Sequence, residues 1–138
     1  MAKLVNTIRV AVTPERAWAI VGDLDGVHRW IPGVTSCRME GAKRICNEGQ
    51  ILEEISEYSA ASRSYRYKHL KVPLPVKCSA GAFVVKPDNS GAVIVWEAEI
   101  EPLDRSSEPE FIQMVDGLYK QVCEALRQLI EAGSERGR

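Results

Sequence analysis

The chain has 138 residues, 45% of them hydrophobic and 27% charged, with a formal net charge of -1. That length implies one domain, able to bury most of its apolar surface without metals or disulfides. The charge balance gives no electrostatic reason to expect nucleic acid or an anionic membrane as partner, and the apolar runs are far too short to span a bilayer.

The first residues, Met1-Ala2-Lys3-Leu4-Val5-Asn6, enter a strand pattern with no signal-peptide core, so a cytoplasmic protein is expected. Lys3 to Val12 alternates as a first strand. Thr13-Pro14-Glu15 then opens a short helix, with a capping hydroxyl, a proline at the first helical position and an acid at the positive end of the helix dipole. Ala17, Trp18, Ile20 and Val21 form its buried side and Gly22-Asp23 stops it. A second short helical turn carries Val27, Trp30 and Ile31 and breaks at Pro32-Gly33.

From Val34 to Pro102 the pattern is an antiparallel meander. Val34 to Glu40 and Ala42 to Cys46 read as a hairpin around Gly41, followed by strands at Gln50 to Tyr58 and Ser62 to Leu70. Lys71-Val72-Pro73-Leu74-Pro75 cannot donate ladder bonds at its prolines and is a loop or an edge. Val76 to Lys86 and Ala92 to Ile100 complete the strands. Ser107-Glu108-Pro109-Glu110 has capping-box spacing ahead of one long helix, Pro109 to Ala132. Residues 1–133 form the single domain, and 134–138 a frayed polar tail.

That helix has an unusually wide apolar face. Phe111, Val115, Leu118, Val122, Leu126 and Leu129 fall on one line, flanked by Ile112, Tyr119, Cys123 and Ile130. A curved sheet gripping the helix on both flanks would use such a face. On this reading Phe111 to Val122 line a cavity, with Gly117 allowing a local bend, and Leu126 to Ile130 are plain core.

Period two sorts each strand into faces. Trp96 belongs inward, because the opposite choice would bury Glu97 and Glu99. Sending Arg66 and Lys68 to water turns Tyr65, Tyr67 and His69 inward. The Ile51/Ile55 pair favours its own face as the inner one and makes Glu53 an inward carboxylate. In Val76 to Lys86 the pattern does not choose between Phe83 with Val85 and Ala82 with Val84. The four cysteines, Cys37, Cys46, Cys78 and Cys123, show no CxxC pair, and His28 and His69 lack metal-like spacing. Reduced structural thiols, no metal and no cofactor are therefore expected.

Thr13 to Trp18, Asp23 to Gly33 with Trp30-Ile31-Pro32-Gly33, Gly49 with Glu53 and Ile55, Tyr67, Pro73-Leu74-Pro75-Val76, Trp96 and the C-terminal helix occur in one order. In that order the chain resembles the polyketide cyclase/dehydrase-like branch of the START/Bet v 1-like (SRPBCC) superfamily. The resemblance implies an α+β helix-grip fold, a curved seven-stranded antiparallel sheet around the long C-terminal helix, with two short helices after the first strand. It also implies a cavity between sheet and helix for lipid-, polyketide- or hormone-like molecules. By the same resemblance Pro73, Leu74 and Pro75 are either a gate over that cavity or a rigid hairpin end. The sequence departs from many relatives at Ile31, where they carry a histidine after the tryptophan.

The leading functional expectation is the binding of an apolar or aromatic small molecule by a monomer or homodimer. Phe111, Val115, Leu118 and Val122 would form one wall, and Tyr65, Tyr67, Phe83 and Trp96 the other, with Trp30 and Leu74 beside them. The alternative is a cyclase or dehydratase-type lyase in the same cavity. There Glu53 or His69 would act as base, and Tyr65 or Tyr67 would donate to a developing enolate oxygen. A third class, a protein-interaction module, would use an exposed strip at Val72 and Leu74.

Overall fold

The computed structural model describes residues 2–136. Strand β1 (Ala2–Val10) is followed by helix α1 (Pro14–Val21) and a 3-10 turn over Leu24–Arg29. Six further strands follow: β2 (Cys37–Glu40), β3 (Lys43–Cys46), β4 (Ile51–Ser59), β5 (Ser64–Lys71), β6 (Val76–Asp88) and β7 (Gly91–Pro102). The long helix α2 (Glu108–Arg136) closes the chain. All seven strands join one antiparallel sheet in the order β1-β7-β6-β5-β4-β3-β2, so only β1 steps out of sequence, to pair with β7. This is the helix-grip arrangement. Among the described residues no helix is long and apolar enough to cross a membrane.

Local chemistry sets the helix starts. Thr13 caps α1 through its hydroxyl, which accepts from the Arg16 N–H at 3.2 Å. The capping box expected at Ser107 does not form. The Ser107 hydroxyl donates back to the Asp104 carbonyl at 3.1 Å, while the Asp104 carboxylate caps a 3-10 turn at Arg105–Ser107 that leads into α2. Part of the polar tail expected over 134–138 lies outside the described residues, and the helix continues through Arg136.

The strand faces follow the alternation. Tyr65, Tyr67, Trp96, Ile55 and Glu53 are all buried, while Arg66, Lys68 and Glu97 face water. Phe83 and Val85 are the inner residues of β6, which resolves the face the pattern left open. Gly81 belongs to this inner row because Tyr67, its cross-strand partner, lies over it. A Cβ there would stand 2.5 Å from Tyr67 Cζ and 2.7 Å from the Glu97 carbonyl oxygen.

Two further sequence expectations fail in the fold. Cys37 and Cys46, opposed in the β2–β3 register, form a disulfide, so only Cys78 and Cys123 are free thiols among the described residues. The spacing rules used for cysteines do not register a pair that only strand pairing brings together. Along α2, Phe111 and Val115 do not line a cavity but pack with Ile100 and Leu4 in a small separate core. Leu126 and Ile130 join the main core as expected, and Tyr119 packs against both clusters. Gly117 is exposed with open space around it, so it makes no room for a ligand.

Candidate functional site

A cavity of about 300 Å³ lies between the inner face of the sheet and the middle of α2. Phe83, Trp96, Leu118, Tyr119 and Val122 supply much of its apolar wall, with Val27, Trp30 and Ile31 from the segment after α1. Three of its lining segments are exposed: Pro32 and Gly33, Pro73 in the β5–β6 loop, and Leu118 with Gln121 on α2. These surround its opening to solvent. Val72, Pro73 and Leu74 therefore stand at the mouth, where the proline-rich loop was expected to act as a gate or a hairpin end; Pro75 is not part of the wall.

Stacked aromatics make up one flat wall. The Trp96 ring lies 4.2 Å from Tyr119 at 30° and 5.1 Å from Phe83 at 19°. Trp30 meets Phe83 edge-on at 5.7 Å and 83°. The Trp30 indole N–H is buried without a hydrogen-bond partner among the described residues, whereas the Trp96 N–H donates to the Tyr67 hydroxyl at 3.0 Å and so fixes both of those rings.

The polar end of the cavity is a row running across four strands. Arg44 on β3, Glu53 on β4 and His69 on β5 are register partners in turn, and Ser79 on β6 continues the row by a hydrogen bond. Arg44 Nε donates to Glu53 Oε1 at 2.8 Å, and an Arg44 terminal nitrogen donates to the Leu24 carbonyl at 3.2 Å. On the other side His69 Nε2 lies 3.3 Å from Glu53 Oε2, and His69 Nδ1 lies 2.8 Å from Ser79 Oγ. All four residues are largely removed from water, with Arg44 only 2% exposed.

The Ser79 contact of His69 has hydrogen-bond geometry, and its donor follows the tautomer of the ring; the 3.3 Å approach to Glu53 is an electrostatic contact. Burial holds the His69 pKa below its ordinary value, with the nearby Arg44 charge adding to the shift and Glu53 opposing it, so the ring is neutral at neutral pH. Burial also pushes the Tyr119 phenol up to about 12 and raises that of Tyr67 well above its ordinary value, keeping both hydroxyls protonated.

The residues singled out from sequence fall into two groups. Trp30, Glu53, Tyr67, His69, Leu74, Phe83, Trp96, Leu118 and Val122 all lie on the cavity wall. Tyr65, Phe111 and Val115 do not. Tyr65 is sealed beneath the wall among Trp18, Tyr58 and Phe83, because at its place on β5 α1 covers the sheet instead of α2. Arg44 and Tyr119 are wall residues that the sequence reading did not single out. Arg44 had a detectable signal, since an inward Glu53 requires a buried counter-charge and the neighbouring strand offers one on the matching face.

The chain matches the family described as polyketide cyclase / dehydrase and lipid transport over residues 1–131. Solved structures similar to it include the protein XoxI from Bacillus cereus, at 24% identity and TM-score 0.82 over 94% of this chain and 96% of that one. A START superfamily protein from Mycobacterium smegmatis is similar at 14% identity and TM-score 0.80, over 94% and 97% of the two chains. The di-domain ARO/CYC BexL of the BE-7585A biosynthetic pathway is similar at 16% identity and TM-score 0.81, over 95% of this chain and 47% of that one. No curated protein matches the chain. With nearly the whole sequence inside the family match and the helix grip in place, the chain belongs to the polyketide cyclase / dehydrase and lipid transport family.

Proposed function

We propose that the protein binds an apolar or aromatic small molecule, lipid- or polyketide-like, in the cavity between the sheet and α2. One observation carries this reading: a cavity of about 300 Å³ with a mouth to solvent has a mostly apolar, aromatic-lined wall and a single polar row. A ligand site has that composition, a few placed polar groups on an apolar surface, whereas a core without a function is filled. Trp30, Tyr67, Leu74, Phe83, Trp96, Leu118 and Val122 would contact the ligand. Native mass spectrometry of the purified protein and titration with the uncharged dye Nile red test the reading. Saturable one-to-one uptake is expected, and no uptake of any apolar compound would end it.

Lyase-type chemistry in the same cavity is the second reading, favoured by Glu53, His69 and Tyr67 sharing one wall. Its weak point is that His69 Nδ1 is already occupied by Ser79, which leaves Glu53 as the better base. Tyr67, held by the Trp96 N–H, would donate to a developing enolate oxygen. Glu53→Gln and His69→Ala should each abolish turnover of a bound carbonyl substrate while leaving its affinity within a few fold. Unchanged turnover in both variants discards this reading.

A further inference from the structure

Charge on the cavity wall determines which ligands it can accept. Among the described residues Arg44 is the one cation on that wall and Glu53 the one carboxylate, and they are paired at 2.8 Å. Arg44 further spends a terminal nitrogen on the Leu24 carbonyl. The third ionisable member of the row, His69, is hydrogen-bonded through Nδ1 to Ser79, with Nε2 lying 3.3 Å from Glu53. A ligand anion would thus meet no free cation in the cavity and would be set against a carboxylate in a largely dry space.

Glu53 is less fully used. Arg44 Nε donates to its Oε1, its Oε2 lies 3.3 Å from His69 Nε2, and a carboxylate has about four acceptor positions. Its side chain, 9% exposed, is on the cavity surface. The same cavity is lined by the Tyr119 and Trp96 rings, stacked 4.2 Å apart, a flat surface for a planar ligand.

We propose that Glu53 is the specificity-determining residue of the cavity, which takes an uncharged aromatic molecule bearing a hydroxyl that donates to Glu53, in preference to the corresponding carboxylate. This rests on the binding reading above and narrows it, excluding free fatty and aromatic acids as preferred ligands.

The test compares three probes of one ring system, naphthalene, 2-naphthol and 2-naphthoate, by isothermal titration at neutral pH. For the native protein 2-naphthol should bind about tenfold or more tighter than naphthalene, as a hydrogen bond to a charged acceptor allows, and 2-naphthoate should bind weakest. In Glu53→Gln the Arg44 cation loses its partner, and the order should invert so that 2-naphthoate binds tightest. A double variant, Arg44→Met with Glu53→Leu, removes both charges and should erase the preference for 2-naphthol over naphthalene. Tightest binding of 2-naphthoate by the native protein overturns the proposal, even if no variant folds. So does an unchanged order in Glu53→Gln. If none of the three probes binds while Nile red is taken up, this proposal fails and the binding reading stands; if Nile red is not taken up either, both fail.

Discussion

At the scale of single residues, the buried ion pair dominates. Arg44 and Glu53 have side chains 2% and 9% exposed, and removing one partner leaves the other charged and desolvated. Arg44→Met should cost about 3–5 kcal/mol in urea denaturation, whereas Arg44→Met with Glu53→Leu should recover most of that loss. Equal losses in the two proteins would mean that the pair contributes packing and not charge. His69 gives a pH signature. Its folded pKa lies below the ordinary 6.5 because burial opposes the imidazolium, so the unfolded chain takes up a proton that the folded one refuses. Stability from this source is complete above that value and is lost as pH falls through it toward the folded pKa. The groups facing the ring are Glu53, Arg44, Ser79 and Tyr67. Thermal melts from neutral pH down to about pH 5 should therefore show a smaller drop for His69→Gln than for the native protein. Parallel curves would remove His69 from the acid response. Gly81 makes the third case, since a Cβ there would strike Tyr67 and the Glu97 carbonyl. Gly81→Ala should destabilise by about 1–3 kcal/mol, as overpacking does, and it should also displace the Tyr67 hydroxyl from Trp96.

At the scale of elements, what could be read from the sequence depended on whether one residue's own pattern or a distant partner decided the outcome. Alternation placed Tyr65, Tyr67, Trp96 and Glu53 inward correctly because water and charge sort each strand locally. The order of strands, the cap at Thr13 and the interruption at Pro73-Leu74-Pro75 are local too, and all were legible. The Cys37–Cys46 bond, the Arg44–Glu53 pair and the cover of α1 over Tyr65 arise only when registers and packing angles are set. Apolar periodicity along α2 likewise could not separate cavity wall from core, since Val115 and Val122 look alike in sequence while one packs on Ile100 and the other faces the cavity. Gly117 belongs to the same lesson. With open space beyond it and no positive backbone angle, it serves no close approach, and Gly117→Ala should stabilise α2 by up to about 1 kcal/mol in thermal denaturation. A loss of stability instead would reveal a need for bending that the open surroundings do not suggest.

At the scale of the whole molecule, the grip leaves a gap because the helix is anchored at two places. Its first turns are held by Ile100 and Leu4 through Phe111 and Val115, and its later turns by the main core through Leu126 and Ile130. Between these anchors the side chains of Leu118, Tyr119 and Val122 span the cavity without filling it. Phe111, Val115, Leu126 and Ile130 are not on the cavity wall, so its contents can change while these contacts stand. Val122 is the position that tests this separation, being 8% exposed and on the wall near Trp96 and Phe83. In a solid core Val122→Phe would be overpacked and would cost about 1–3 kcal/mol. Here the added ring enters existing space, buries more apolar surface, and should leave the melting temperature unchanged or raise it. The same substitution should weaken Nile red uptake at least tenfold by occupying the volume a ligand needs. Stability falling while uptake is retained would show that the space closes around Val122 in solution and that any ligand sits elsewhere. Stability held with uptake lost would establish the gap between the two anchors as the binding site.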